Sequence, residues 1–160
     1  MTQVLPTSLT VHRLRVDDLR LLQVQEAQWY IQTLSQDVET ARILIHQGGA
    51  FSVFYDGLCL AVGGLMPKWE GVATAWAIMG SHARKHMLGL TRIVKANIDA
   101  HLEFRYHRIE TSVQTEFPEG HRWVRMMGFE REGTMRGYGT QGFDCDLYSR
   151  INPQLLKVKR

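Results

Sequence analysis

GVATAWAIMGSHARKHMLGLTRIVKANIDAHLEFR, Gly71 to Arg105, is the stretch that decides how this chain folds. Val72 to Met79 is an apolar run with Val, Thr, Trp and Ile, the residues that suit a strand. A polar loop, Gly80-Ser81-His82-Ala83-Arg84-Lys85-His86, follows it. Apolar positions at Met87, Leu90, Ile93, Val94, Ile98 and Leu102, with Leu88 at looser register, then predict a long amphipathic helix. A strand that feeds a basic loop and then a helix N-terminus is suited to an anion. Free backbone N–H groups and the positive helix end point into the loop. Arg84 and Lys85, with His86 behind them, add side-chain charge there. The plain alternative is a solvated loop that leads into a core helix.

Working outward, the bounds are ordinary. The chain has 160 residues, enough for one domain with a proper core. Hydrophobic residues make up 44% and charged residues 22%, which places it among globular proteins. No run approaches the ~18 apolar residues of a membrane span, and no signal-type apolar segment follows Met1. Cys59 and Cys145 sit in strand-like sequence without metal spacing, so free buried thiols in a reducing cytoplasm are expected. The 7 histidines are scattered and form no metal-binding pattern, so no metal is expected. A net charge of +3 admits an anionic ligand, but no basic stripe with interleaved aromatics argues for nucleic acid.

In chain order, Leu9 to Leu14 alternates as a first strand. Asp17 or Asp18 caps a helix expected to reach about Leu34, and Ser35 opens a second that stops at Gly48-Gly49. Phe51 to Tyr55 and Leu58 to Met66 flank Asp56-Gly57, a two-residue hairpin signal. Pro67 to Gly71 reads as the next turn. Arg108 to Gln114 alternates as a strand, and Glu116 to Met127 reads as a short helix closed by Gly128. Glu132 to Tyr138 and Phe143 to Ile151 read as the last two strands, and residues 153–160 as a solvated basic tail. The order β-α-α-β-β-β-α-β-α-β-β predicts an α/β (α+β) single domain with a mixed central sheet over residues 1–152.

Gly120-His121-Arg122-Trp123-Val124-Arg125-Met126-Met127-Gly128-Phe129-Glu130-Arg131-Glu132-Gly133 carries the most specific pattern. It resembles the stretch ending in Gly-Phe-x-x-Glu-Gly in acetyltransferases of the ribosomal-protein N-terminal type, within the GNAT superfamily of N-acetyltransferases. Arg136, Tyr138, Gly142, Asp144, Tyr148 and Ser149 continue the pattern, and the resemblance covers nearly the whole chain. The wording HRWVRMMGFEREGTMRGYG is similar to short, divergent members encoded by tailed bacteriophages.

The resemblance implies acetyl-CoA as co-substrate, with its pyrophosphate on an Arg/Gln-x-x-Gly-x-Gly/Ala motif. Here Arg84 takes the first place and Gly89 the last, while Met87 stands where the first glycine belongs. The cofactor set it implies is Ile78 and Met79 at the strand end, then Arg84, Lys85, His86, Met87, Leu88 and Gly89. Amine acylation needs a neutral nucleophile, hence a base, and an acid for the leaving thiolate. Glu110 is the first candidate base, His121 could serve as base or acid, and Tyr138 could reach the cleft. Each has a plainer reading, as surface charge, helix-surface histidine and packing residue. Val124 stands where many members place a Tyr acid four residues before the Gly. Trp76 is expected in the core, Trp123 under the Gly-Phe turn, and Trp29 and Tyr30 at the acceptor lip or in the core.

Two function classes follow. One is an acyl-CoA-dependent N-acyltransferase acting on an amine of a small molecule or protein, in the cytoplasm, with a homodimer admitted. The other is a catalytically inactive phage structural or assembly protein that keeps the fold, in the host cytoplasm or the virion.

Overall fold

The computed structural model describes residues 8–31, 37–46 and 49–157. Its elements are β1 (Thr10–Arg13), α1 (Val16–Leu21), a 3-10 segment (Glu26–Ile31), α2 (Val38–His46), β2 (Phe51–Tyr55), β3 (Leu58–Trp69) and β4 (Val72–Met79). A 3-10 turn (Ala83–His86) follows, then α3 (Met87–Phe104), β5 (Arg108–Gln114), α4 (Pro118–Met126), β6 (Glu130–Met135), β7 (Cys145–Ile151) and a last 3-10 turn (Pro153–Leu155). The sheet has seven strands in the order β1-β2-β3-β4-β5-β7-β6. It is the mixed α/β sheet that the pattern predicts. β4 and β5 pair in parallel, as the helical crossover between them requires. β1 with β2, β2 with β3, β5 with β7 and β6 with β7 are antiparallel.

Two compact units divide the chain, and β3 and β4 run through both. The first comprises residues up to Leu65 together with Ala77–Gly89. Leu14, Leu19, Leu22, Val53, Leu60 and Val62 form its buried core, each worth about 1.5–3 kcal/mol relative to exposure. Asp56 and Gly57 both take positive φ, 49° and 77°, the signature of a type I′ hairpin turn. The second unit comprises Met66–Trp76 and Leu90–Arg160. Leu90, Ile98, Leu102, Ile109, Phe129 and Tyr148 are buried in it. Gly128, at φ +86°, ends α4 with its N–H on the Arg125 carbonyl, and turns Phe129 inward.

Several expected boundaries move. The first helix stops at Leu21, not near Leu34, and the 3-10 segment follows it. Tertiary hydrogen bonds explain the break. The Gln25 N–H donates to the Met79 carbonyl (2.9 Å) and the Ser81 N–H to the Gln23 carbonyl (2.7 Å), so this stretch pairs with the end of β4 instead of coiling. The capping residue also differs. Arg15 is the N-cap, and Asp18 reaches back from the first turn to accept its N–H at 2.9 Å. Asp37 caps α2 by accepting the Thr40 N–H at 3.0 Å; the expected start at Ser35 and end at Gly48 lie outside the described residues. β3 runs through Pro67 to Trp69, leaving Glu70-Gly71 as the turn. β6 begins at Glu130 and ends at Met135, which leaves Tyr138 outside it. The expected solvated tail begins instead with an Asn152-capped turn, and Lys157 pairs with Glu70.

Candidate active site

β4 delivers the chain to the basic loop with Ile78 and Met79 buried. Ala83 packs inward and anchors the 3-10 turn, which turns Arg84 and Lys85 outward to solvent. Among the described residues neither forms an ion pair or a side-chain hydrogen bond. His86 stacks on Tyr55, ring centroids 4.1 Å apart. Met87 adopts φ −57° and ψ −33°, ordinary right-handed helix. Glycine's wider conformational range is therefore not what this position needs. Leu88 is exposed, and Gly89 faces the mobile end of the Leu9 side chain. A Cβ there would lie 2.4 Å from Leu9 Cδ1. Two cations with no ion-pair partner among the described residues thus stand at the start of an 18-residue helix, where the dipole already favours negative charge.

Glu110 is not a free base. Its carboxylate is gripped by Lys68 and by Arg108, whose Nε lies 3.0 Å away. Burial alone would raise its pKa, but these two cations outweigh it and hold the group below its ordinary value. Arg108 also grips Glu132 through both terminal nitrogens, at 2.7 and 2.8 Å. The hydrogen bonds from Arg108 and Ser149 bring the Glu132 pKa down to about 2. Glu110 therefore sits in a four-charge network, a stabilised anion with little proton affinity at neutral pH.

His121 is half-buried rather than on the helix surface. Its Nε2 lies 3.1 Å from the Thr115 carbonyl and its Nδ1 2.8 Å from the Tyr148 hydroxyl. A carbonyl only accepts, so Nε2 carries a proton, and in the neutral ring Nδ1 accepts from Tyr148. Both ring nitrogens are thereby occupied. Tyr138, 61% exposed, stands in the loop after β6 rather than on the strand. Val124, the position at which the sequence resemblance looks for an acid, is 5% exposed and part of the core. Trp76 is only half-buried, and Trp123 donates its indole N–H to Thr91 Oγ1 at 2.8 Å. Trp29 is exposed.

The structure also picks out Gln28, which carries no motif in the sequence. Its carboxamide lies on the backbone of β4, with Nε2 donating to the Ala77 carbonyl (3.0 Å) and Oε1 accepting the Met79 N–H (2.8 Å). Lys68 was likewise hidden, because its stretch reads as a turn.

The fold is that of GNAT-family acetyltransferases. A GNAT-family acetyltransferase of Bacillus anthracis superimposes with a TM-score of 0.70 at 13% identity, covering 91% of this chain and 96% of that one. The spermidine N-acetyltransferase SpeG of Vibrio cholerae gives 0.65 at 17% identity, covering 89% and 93%. The ribosomal-protein-S5-alanine acetyltransferase of Vibrio fischeri gives 0.66 at 16% identity, covering 92% and 95%. No family model matches the sequence, and no curated protein does.

Proposed function

We propose that this protein is an acyl-CoA-dependent N-acetyltransferase acting on an amine of a small molecule or a protein. The observation that carries the reading is the pair Arg84 and Lys85, exposed and without ion-pair partners among the described residues, at the head of α3 in a GNAT fold. The loop fits a pyrophosphate: two cations, a helix N-terminus, and backbone at Met87 already in helical geometry. Arg84, Lys85 and His86, with the backbone of Met87, Leu88 and Gly89, would hold the phosphates, and Ile78 and Met79 the adjoining arm. Acetyl-CoA would supply the acyl group as an activated thioester.

The base is not a lone carboxylate. Glu110 would act as an electrostatic anchor that keeps Arg108 and Lys68 in place, and His121 would position Tyr148. Tyr138, in its exposed loop, remains the candidate that could meet an acceptor. The neighbours' own acceptors, spermidine and a ribosomal-protein alanine, are both amines. With a net charge of +3, this chain is better matched to a peptide or small amine than to a polycation. Such an enzyme would work in the cytoplasm, within residues 1–152, and residues 153–160 would stand apart from catalysis.

A non-catalytic phage structural or assembly protein is the second reading. It draws on the loss of free proton-transfer groups: Val124 buried, Glu110 ion-paired and both His121 nitrogens engaged. Calorimetric titration with acetyl-CoA separates the two. Micromolar binding, weakened ten-fold or more by Arg84→Ala and unchanged by His46→Ala, supports the enzyme. No binding to the folded wild type would overturn it.

A further inference from the structure

Beyond Thr74, where its ladder with β5 ends, β4 continues to Met79. The Gly80 N–H donates to Leu60 of β3 at 2.7 Å. Peptide groups alternate in direction along a strand, so those of Met79 and Ala77 point to the opposite edge. An open strand edge is a template for another extended chain. Here the edge is already taken by the protein itself. One carboxamide, Gln28, gives its N–H to Ala77 and takes the N–H of Met79. That is the pair of bonds one residue of an added strand would make. The Met79 N–H can only donate, which fixes the orientation of the amide. The Gln25 side chain donates to the same Oε1 at 3.0 Å, and the Gln25 backbone N–H covers the Met79 carbonyl. Gln28 also breaks the helical dihedrals of its 3-10 segment, at φ −117° and ψ 21°.

We infer that Gln28 is a built-in substitute for a ligand amide, and that an amide-bearing chain must displace it to pair with Ala77 and Met79. This inference rests on the acyl-CoA reading: the chain is the pantetheine arm of acetyl-CoA, which carries two secondary amides. The exchange trades two hydrogen bonds for two, so Gln28 acts as a gate rather than a block. Apparent affinity is reduced by the fraction of molecules in which the gate is shut. A carboxylate at this position would face the Ala77 carbonyl with no donor, and the repulsion between the two acceptors would push it off the strand edge and free the Met79 N–H as well.

The test measures acetyl-CoA affinity by calorimetry, and hydrogen exchange at the Met79 amide, for the wild type, Gln28→Ala and Gln28→Glu. The expected result is three- to ten-fold tighter binding by both variants, with Met79 exchanging faster than in the wild type and becoming protected again when acetyl-CoA is added. Gln28→Glu keeps the side-chain shape, so it carries the test if the alanine variant folds poorly. Wild-type binding with equal or weaker binding by the folded variants would overturn the gate and leave the acyltransferase reading standing. No binding by any of the three folded proteins would overturn both.

Discussion

Arg108 and Glu132 meet through two parallel hydrogen bonds, 2.7 and 2.8 Å long, and join β5 to the bulged stretch of β6. Ser149 on β7 donates to the same carboxylate, and Arg108 extends the chain of charges to Glu110 and Lys68. Bidentate geometry of this kind is the strong form of an ion pair, and the network makes the second unit sensitive to acid.

The first prediction follows from its sign. Glu132 is lowered from 4.5 to about 2 by hydrogen bonds from Arg108 and Ser149, and Asp146 from 3.8 to about 2 by those from Arg131 and Thr134. A depressed carboxylate stabilises the fold above its unfolded pKa, and that contribution disappears as pH falls through the folded value. Stability should therefore be level above about pH 5 and fall between there and about pH 2. Glu132→Gln should flatten part of that slope and cost about 1 kcal/mol at pH 7, allowing for its partial exposure. Urea unfolding at stepped pH measures both.

Tyr148 should be sensitive to loss of one atom. Its ring is fully buried, and its hydroxyl lies 2.8 Å from His121 Nδ1, to which it donates when the imidazole is neutral. Tyr148→Phe keeps the packing but leaves that nitrogen without a donor, so about 1–3 kcal/mol of stability should be lost. Chemical denaturation reads this directly, and an unchanged midpoint would show that solvent replaces the hydroxyl.

Val124→Tyr puts a tyrosine at the position where the sequence resemblance expects an acid. The valine is core, so the larger ring should overpack the site and cost about 1–3 kcal/mol. Turnover with acetyl-CoA and a peptide amine should not rise. A gain in turnover without loss of melting temperature would show that the position opens onto the site.

Met87→Gly should cost about 1 kcal/mol, since Met87 is already helical and glycine is the poorer helix former. Acetyl-CoA affinity should change less than three-fold, because the backbone N–H is presented either way. Calorimetry and thermal melts on the same variant check both numbers.

Local chemistry wrote much of this protein into its sequence. The strands Phe51–Tyr55, Val72–Met79 and Arg108–Gln114 lie where alternation and β-branched runs place them. Asp56-Gly57 turns as a type I′ hairpin because both positions tolerate positive φ, and Gly128 closes its helix for the same reason. The basic loop was legible too, since a strand, two cations and a helix start are all short-range signals. What the sequence could not contain is the choice made by partners far away along the chain. The first helix stops at Leu21 because Gln23 and Gln25 find backbone partners on Met79 and Ser81, some 55 residues on. Glu110 looks like an available base until Lys68 and Arg108 converge on it, and His121 like a surface histidine until Tyr148 and Thr115 take its two nitrogens. Gln28 has no signature at all. A carboxamide gains meaning only when folding sets it against two peptide groups of matching spacing, and that spacing belongs to the tertiary structure alone.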